Sequence, residues 1–557
     1  MILEKLLIDQ RMQTQNLVHM LQNRESGFTR IKLSQMPQLS YERQFYKAIT
    51  PCLTVGISIP PVYLRKFTPD GSQLLGFSLD QRSFIVFSYK GIGSAGVSQL
   101  FSDAGVGSSE TLSGIHSQQL RSTVFEKLFK TKFAMRLCQG ESARFYLHRE
   151  FSVFLDNSRY VLLAGMCVLQ GYNLAVSEYE RYPDVFDTVD PFSYIFYVVD
   201  LQQGVVTDEV LLHQESICLS HNHGISVHGH TIAILSRLRQ CIYIYELVDG
   251  RLIKQEHEIG PRPLHCCFQD VSSMFMVMLD VNTLLPITHI KQRVLSFLYR
   301  QIEADCPQAS QKYQEFYKNF EFVRIENMII EKMQLVDNDL LLLRYEERPK
   351  DSNVPHILLT SEPQAPRRLY VFYSMNSEDV LGVYHDDSID LLQIVVQFND
   401  KLCNVRSLQT GDAPSSASSQ FFMQQNWKNS SQSLPFMRQA ALRYNPTVPI
   451  STQSFSTSPY LNHNVFNYDN LSISPLERPK ACSTEPIVFR DRATNLIKFR
   501  LNIKAQRLPG QFTPRELCAF ICHPFEPLVI SIQKCMHVYS YKLHIYNHGT
   551  IVQQFYN

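Results

Sequence analysis

Short apolar runs, each bounded by a turn, recur along most of the chain and limit it to a mainly β fold. The first clear example is Leu64-Arg-Lys-Phe-Thr-Pro-Asp-Gly, which is followed by Leu74-Leu-Gly-Phe and then Phe84-Ile-Val-Phe. A Pro-Asp-Gly turn reverses the chain because proline fixes φ and glycine accepts positive φ. Similar pairs of runs begin at Phe154 and at Thr231. Short strands in meander order are typical of β-propeller blades of about 40–45 residues.

We therefore predict a degenerate WD-like β-propeller of seven or eight blades. The chain of 557 residues holds one tryptophan, Trp427, so the Trp-Asp signature cannot recur in every blade. The first blades are expected within residues 50–285 and the remaining blades within 334–557. A pair of packed β domains is the competing architecture.

Three insertions interrupt the strand pattern. Residues 91–122 are rich in glycine and serine and are predicted to form a loop. Residues 411–459 are rich in Ser, Gln and Asn, and we expect them to be mostly irregular. Residues 286–333 are helical in pattern, because seven apolar residues between Ile287 and Ile302 share an arc of ~160° on a helix. This helical insertion is predicted to pack on the β scaffold or on a partner.

A second helix is predicted within the helical insertion. Its apolar face carries four aromatic residues within an arc of ~100°, and they form a candidate second partner surface: Tyr313, Phe316, Tyr317 and Phe320.

An amphipathic helical segment is predicted at residues 1–25. Six apolar residues fall within an arc of ~120°: Leu3, Leu6, Leu7, Leu17, Val18 and Leu21. Gln10 and Thr14 interrupt the centre of this stripe, so one long helix and two short helices are both compatible with it. The segment packs on its own domain or docks into the groove of another protein.

The composition excludes several classes of protein. Lys and Arg number 53 against 52 Asp and Glu, so no global charge favours direct binding of nucleic acid or of an anionic membrane. No apolar run approaches the ~18 residues of a membrane span. The 13 cysteines lack CxxC spacing and are interpreted as buried free thiols of a cytosolic or nuclear protein.

The strongest candidate metal site is a group of histidines, since alternate residues of a strand share a face. It comprises His221, His223, His228 and His230, with Cys218 nearby. Structural zinc requires four converging ligands, and no further ligand stands at a suitable spacing. We interpret these residues as turn histidines and predict no metal, while a metal-dependent hydrolase stays as an alternative.

Two further clusters are interpreted as structural. His265-Cys266-Cys267 resembles a nucleophile with a base, but adjacent strand residues face opposite sides, so buried thiols are favoured. His385-Asp386-Asp387 with Asp390 lacks the glycine and the bidentate glutamate of a calcium loop and is predicted to be a solvated turn. Phosphate-binding, hydrolase and metalloprotease motifs are absent from the sequence. With no catalytic residue and no cofactor predicted, the sequence favours a binding module.

Several longer strings resemble the de-etiolated-1 family of proteins. They run in order from residue 13 to about 534: Gln13-Thr-Gln-Asn-Leu-Val-His-Met-Leu, Leu64-Arg-Lys-Phe-Thr-Pro-Asp-Gly, Leu219-Ser-His-Asn-His-Gly, Ile232-Ala-Ile-Leu-Ser, Lys332-Met-Gln-Leu-Val-Asp, Ser451-Thr-Gln-Ser-Phe-Ser-Thr-Ser-Pro-Tyr-Leu, Leu476-Glu-Arg-Pro-Lys-Ala-Cys and His523-Pro-Phe-Glu-Pro.

The resemblance implies a non-catalytic subunit of a cullin-4 RING ubiquitin ligase. Its implied partners are the damaged-DNA-binding large subunit that serves as ligase adaptor, a small adaptor-associated protein, a class-E ubiquitin-conjugating enzyme and the constitutive-photomorphogenic RING ligase. Cullin-4 would be contacted indirectly, and the implied location is the nucleus, with the cytoplasm as a second site.

Joining the resemblance to the helical pattern gives a docking prediction. Leu17, Val18 and Leu21 would enter an apolar cleft of the adaptor, with Arg24 at its polar rim. A histone-tail-binding propeller is the main alternative function.

Overall fold

The computed structural model describes residues 52–92, 115–167, 192–255, 258–260, 289–304, 325, 328–347, 367–398, 402 and, with short gaps, 437–546. These residues are mainly β, as predicted. They form six sheets in which every strand pairing is antiparallel.

Strand β1 (Cys52–Ile57) belongs to a sheet completed at the other end of the chain. Sheet 1 follows it and contains β2 (Val62–Phe67), β3 (Gln73–Ser78), β4 (Ser83–Tyr89) and β5 (Phe129–Arg136) in that order. Helix α1 (Ile115–Leu128) leads directly into β5. Strands β3 and β4 of this sheet are the predicted apolar runs that begin at Leu74 and at Phe84.

Sheets 2 and 3 continue the meander order. Sheet 2 contains β6 (Tyr146–Leu147), β7 (Val153–Leu155), β8 (Tyr160–Cys167), β9 (Phe192–Asp200) and β10 (Val205–Glu215). Sheet 3 contains β11 (Ile225–His228), β12 (Thr231–Ser236), β13 (Cys241–Val248) and β14 (Arg251–Lys254). The central strands are buried on both faces, and for this reason they consist of nearly continuous apolar runs.

Two helices flank sheet 4 in the sequence. Its strands are β15 (Met328–Leu335), β16 (Leu340–Glu347), β17 (Arg368–Ser374) and β18 (Val380–His385). Helix α2 (His289–Ala304) precedes the sheet, and α3 (Ile389–Gln397) follows it. Ser388 caps α3, since its side chain accepts a hydrogen bond from the amide of Leu391.

The last two sheets join the end of the described chain to its beginning. Sheet 5 contains β19 (Phe466–Asn467), β21 (Ile487–Asp491) and β22 (Ile497–Leu501). Sheet 6 contains β20 (Lys480–Ala481), β23 (Leu517–Cys522), β24 (Leu528–Cys535) and β25 (Val538–Tyr546), and β1 completes it. The pairing of β1 with β25 runs from Cys52 opposite Tyr546 to Ile57 opposite Tyr541.

The sheets share their apolar faces in a continuous series. One cluster joins sheets 4 and 3, a second joins 3 and 2, a third joins 2 and 1, a fourth joins 1 and 6, and a fifth joins 6 and 5. Within the described residues this series is not closed into a ring, and the predicted seven or eight blades stay a prediction. None of the helices described is long and apolar enough to cross a membrane.

The loop predicted at 91–122 is wrong at its end, because residues 115–122 are the first half of α1. Val124, Phe125 and Leu128 of this helix are buried between sheets 1 and 6. Burial of these side chains stabilises a helix that has too few apolar residues to show a clear helical period. Residues 93–114 of the predicted loop lie outside the described residues.

The helical insertion predicted at 286–333 is confirmed at α2, whose Ile290 and Val294 are buried against sheets 3 and 4. Its predicted end is wrong, because residues 328–333 belong to β15 and pair with β16. The alternation of large apolar side chains there favours a strand that is buried on its inner face. Residues 305–324, which include the predicted second helix, lie outside the described residues.

Candidate functional site at the inner edges of the sheets

Four strands, β2 of sheet 1, β7 of sheet 2, β11 of sheet 3 and β15 of sheet 4, lie around one segment of the chain. We call residues 445–453 the strap. It lies within the insertion predicted to be irregular, of which residues 411–436 are outside the described part. Residues 445–447 form a single 3-10 turn, and the remainder of the strap belongs to no helix or strand.

The strap begins at the far end of sheet 4. The Asn445 side-chain amide donates to the carbonyl oxygens of Asp386 at 2.9 Å and of Ser388 at 3.0 Å. Val448 and Ile450 are buried with α3 in the apolar cluster that covers the outer face of sheet 4. The strap therefore crosses this sheet from the end of its last strand towards its first strand.

Polar side chains hold the strap where it reaches β15 and β11. The Ile450 amide donates to Gln334 Oε1 at 2.7 Å. Thr452 Oγ1 accepts from the Val227 amide at 3.3 Å, and the Asn222 side-chain amide donates to the Thr452 carbonyl at 2.8 Å. All of these side chains are buried, so each bond satisfies a polar group that water cannot reach.

Gln453 completes the crossing at sheet 2 and sheet 1. Its side chain accepts from the Phe154 amide at 2.7 Å and donates to the Phe154 carbonyl at 2.8 Å, in the manner of an added strand residue. Lys66 Nζ donates to the carbonyl oxygens of Ser152 at 2.7 Å and of Gln453 at 3.3 Å. Lys66 is only 6 % exposed, and these carbonyl dipoles stabilise its ammonium group.

A buried histidine joins sheet 6 to the first turn of sheet 1. His523 Nε2 lies 3.1 Å from the Gly71 carbonyl oxygen, and His523 Nδ1 accepts from the Glu526 amide at 2.8 Å. Burial lowers the pKa of His523 to about 4, so the ring is neutral and donates through Nε2. Gly71 has φ of +71°, and a Cβ there would stand 2.6 Å from the histidine ring, so both conformation and space require glycine.

The candidate metal histidines have structural partners. His223 Nε2 lies 3.3 Å from Lys332 Nζ, and His228 Nδ1 lies 3.0 Å from Asn338 Oδ1. An ammonium group beside His223 repels a cation, and His230 is exposed. The described residues contain no group of three or more His, Cys, Asp or Glu side chains that could hold a metal ion.

The acidic cluster after β18 is the start of a helix. The Asp386 carbonyl accepts from the strap, and Ser388 caps α3 while Asp390 lies in its first turn. Carboxylates are stabilised near a helix N-terminus, which accounts for the acidic residues here. His385 and Asp387 are exposed, as expected for a solvated turn.

The buried thiols and a buried carboxylate show no nucleophilic character. Burial raises the pKa of Cys138 and Cys241 to about 11 and that of Cys522 to about 12, so these thiols are protonated at neutral pH. Glu215 accepts from the Tyr243 hydroxyl at 2.6 Å and pairs with Arg239 Nε at 3.2 Å. This carboxylate ties the end of β10 to sheet 3.

The remaining predicted site residues lie outside the described part of the chain. They are the four residues of the docking helix, the four aromatic residues of the second surface and the thiol cluster: Leu17, Val18, Leu21, Arg24, Tyr313, Phe316, Tyr317, Phe320, His265, Cys266 and Cys267. Their roles stay predictions.

The strings that carried the family resemblance meet in this site. Lys66, Asn222, Gln334, Gln453 and His523 belong to five different strings, and each makes one of the contacts described above. No periodicity marks these residues, because each is a single polar residue within or beside an apolar run. The signal that finds them is their membership of the family strings.

A known family matches most of the chain. The sequence profile described as "De-etiolated protein 1 Det1" matches residues 149–547. The chain belongs to the de-etiolated protein 1 family. Two relatives carry the name "Light-mediated development protein DET1". The one from Arabidopsis thaliana is 24 % identical over 527 residues, covering 89 % of this chain and 92 % of the relative. The one from Solanum lycopersicum is 22 % identical over 519 residues, with the same coverage of both chains.

Solved structures show only distant similarity. An acylaminoacyl peptidase from Pyrococcus horikoshii is 10 % identical with a TM-score of 0.21, covering 59 % of this chain and 44 % of the peptidase. An uncharacterized protein from Listeria monocytogenes is 8 % identical with a TM-score of 0.20, covering 59 % of this chain and 68 % of that protein. Scores this low support no conclusion about activity.

Proposed function

We propose that this protein is a non-catalytic scaffold subunit of a cullin-4 RING ubiquitin ligase. The observation that carries the proposal is membership of the de-etiolated protein 1 family, with similarity to the plant relatives over 89 % of the chain.

The scaffold in this proposal is a degenerate β-propeller of seven or eight blades. Two features favour it over two separate β domains. Successive sheets share apolar faces from sheet 4 through to sheet 5, and β1 completes the sheet that contains β25. A strand from the start of a chain that completes the last sheet is a means of closing a circular arrangement. In this arrangement the strap fills the space between β2, β7, β11 and β15.

The proposed partners are those of the family. The adaptor, the damaged-DNA-binding large subunit, would bind residues 1–25 through Leu17, Val18 and Leu21, with Arg24 at the rim. The small adaptor-associated protein, a class-E ubiquitin-conjugating enzyme and the constitutive-photomorphogenic RING ligase would bind elsewhere, with the helical insertion as a candidate surface. Cullin-4 would be reached through the adaptor, and the complex would act mainly in the nucleus on regulators of transcription.

The mechanism in this proposal is proximity. A rigid array of sheets holds a conjugating enzyme and a substrate at a fixed separation, which raises the effective concentration of one for the other. The chain itself would transfer no group. Rigidity is supported by the strap, which links four sheets through hydrogen bonds that are inaccessible to water.

Co-purification with the adaptor tests the proposal. The full chain should retain the adaptor, whereas the variant L17D/L21D should lose it because a carboxylate cannot enter an apolar cleft without a large desolvation cost. M12D/M20D is the matched control, since both methionines lie off the apolar arc of the same segment. Equal retention by all three proteins would move the contact to the sheets. If none retains the adaptor while all are folded, the ligase proposal fails.

The other functions considered from the sequence gain no support from the described residues. Two of the four histidines of the hydrolase alternative, His223 and His228, lie beside Lys332 and Asn338. For histone-tail binding, the inner edges of sheets 1 to 4 are already occupied by the strap. A tail would have to bind elsewhere or displace residues 450–453.

A further inference from the structure

Among the described residues, sheet 5 is the sheet that has an apolar cluster on one face alone. Sheets 1, 2, 3 and 6 each contribute to two clusters among the described residues, and sheet 4 is covered on one face by sheet 3 and on the other by α3 and the strap. Sheet 5 contributes to one cluster, through Ile487, Phe489, Phe499 and Leu501, which pack against sheet 6.

The opposite face of sheet 5 is basic. Val488 lies opposite Arg500, and Arg490 lies opposite Ile497, so these four side chains point to the same side of the hairpin. Arg490 and Arg500 are exposed, whereas Val488 and Ile497 are partly buried. The face therefore carries two cations beside two apolar side chains. A chain with 53 basic and 52 acidic residues would be expected to mix both signs on such a face.

The two guanidinium groups are available to a ligand. Arg490 uses one N–H to donate to the Asn495 carbonyl at 3.2 Å, which leaves its other donors exposed. The Arg500 side chain makes no hydrogen bond or ion pair with any described residue. Asp491 of the same hairpin accepts from the Thr494 amide through Oδ1 at 3.0 Å, and its Oδ2 lies 3.6 Å from Lys498 Nζ.

We propose that this face binds an extended acidic segment of a partner protein. Arg490 and Arg500 are diagonal neighbours on paired strands, a relation that separates Cα atoms by about 7–8 Å. Carboxylates two residues apart on an extended peptide are separated by about 7 Å, because each residue rises by about 3.3 Å. Each guanidinium can hold one carboxylate through two parallel hydrogen bonds. Val488 and Ile497 would contact the intervening apolar parts of the peptide.

The observations favour a peptide over nucleic acid. Binding to DNA or RNA at physiological salt requires several phosphate contacts along a continuous basic groove, on the order of 6–10 in strong binders. This face offers two free guanidinium groups and an ammonium group already paired with a carboxylate. Two arginines at a fixed spacing match a short acidic motif, and the proposal goes beyond the ligase role because that role assigns no ligand to sheet 5.

Fluorescence anisotropy with the full chain tests the proposal. The probe is a labelled eight-residue peptide of alternating Glu and Ser, and the same peptide with Gln in place of Glu is the uncharged reference. The variant R490E/R500E should weaken binding of the Glu peptide at least tenfold. The matched control K130E/R136E reverses two exposed cations on β5 and should leave binding within twofold. Unchanged melting temperatures show that both variants are folded.

Each remaining outcome decides the proposal. Binding of the Glu peptide that survives R490E/R500E, or equal binding of the Gln peptide, would overturn it. A labelled duplex DNA that binds more tightly than the peptide and is lost in R490E/R500E would assign the face to nucleic acid instead. Retention of the ligase adaptor by R490E/R500E separates this test from that of the proposed function, since a failure here would leave adaptor binding intact.

Discussion

The two ends of the series of sheets are finished in opposite ways. At sheet 4 the last apolar face is covered by the chain itself, through Leu391 and Ile394 of α3 and through Val448 and Ile450 of the strap. At sheet 5 the last face carries exposed arginines and no cover among the described residues. The outer face of sheet 4 is therefore part of a core, whereas the outer face of sheet 5 is a polar surface.

The covered face of sheet 4 is expected to contribute to stability, and the exposed face of sheet 5 to binding. Apolar groups must leave water to stabilise the fold, so the covered end contributes to the free energy of unfolding. Exposed arginines contribute little to stability, because water screens their interactions. These arginines can instead bind a ligand of opposite charge. Substitutions at sheet 4 should therefore change the free energy of unfolding, whereas substitutions at sheet 5 should change binding.

Leu391→Ala should destabilise the covered end by about 3 kcal/mol, since Leu391 is fully buried and its removal leaves a cavity. The change is measured as a fall in the midpoint of urea unfolding. Leu496→Ala is the matched control at the other end, where the side chain is 51 % exposed, and should alter stability by less than about 0.5 kcal/mol. Equal effects of the two substitutions would remove the contrast between the ends.

Gln453→Ala should cost about 2–3 kcal/mol, because it leaves the amide and the carbonyl of Phe154 buried without their partners. Hydrogen exchange at the Phe154 amide should become faster as well. Gln202→Ala, at an exposed turn, is the control and should have no measurable effect on either quantity. Slow exchange at Phe154 in the variant would show that the strap does not depend on Gln453.

The pH dependence of the free energy of unfolding tests whether His523, at the junction of sheets 1 and 6, is buried in solution. The pKa of His523 is lowered by burial to about 4, whereas an unfolded histidine has a pKa of about 6.5. Between these values the unfolded state binds a proton that the folded state excludes, so stability is present above pH 6.5 and is lost as pH falls towards 4.

His523 alone should therefore cost about 2 kcal/mol of stability between pH 7.5 and pH 5. His523→Gln should reduce the pH dependence of the free energy of unfolding by this amount. His148 and His544 are buried in the same way, with pKa values lowered to about 3, and they provide a remaining slope for comparison. An unchanged slope in His523→Gln would mean that this ring is already protonated in the folded state.

Arg500→Ala should change the free energy of unfolding by less than about 0.5 kcal/mol, since its side chain is exposed and makes no ion pair among the described residues. Thermal unfolding provides the measurement. A loss of more than about 1 kcal/mol would show that this face is packed against another part of the chain, and the contrast between the two ends would be wrong.

Local features were predictable, and long-range ones were not. The strands at Leu74, Phe84, Phe154 and Thr231 were recognised because short apolar runs and turn residues are encoded within a few positions. Helix α2 was recognised from its apolar arc. The helix at 115–128 was missed, because its stability comes from contacts with sheets 1 and 6.

The strap was also missed, and for a related reason. Gln453 contacts Phe154 across 299 residues, and no local pattern encodes a hydrogen bond of that kind. An irregular segment was predicted there, which is correct for its backbone but gave no sign of its burial. Two of the histidines at 221–230 contact Lys332 of β15 and Asn338 in the turn that follows it, and their interpretation as structural residues stays a prediction.

During synthesis on the ribosome, β1 is made long before β25, the strand with which it pairs. Thr54 and His544, which meet in this sheet, are separated by 490 residues. At a translation rate of about 5–20 residues per second, β1 must wait about 25 to 100 s for its partner strand. During that time β1 presents unpaired backbone groups that could capture a strand from another chain. In a newly made chain the edge of β1 therefore stays without this partner until residues 538–546 have been synthesised.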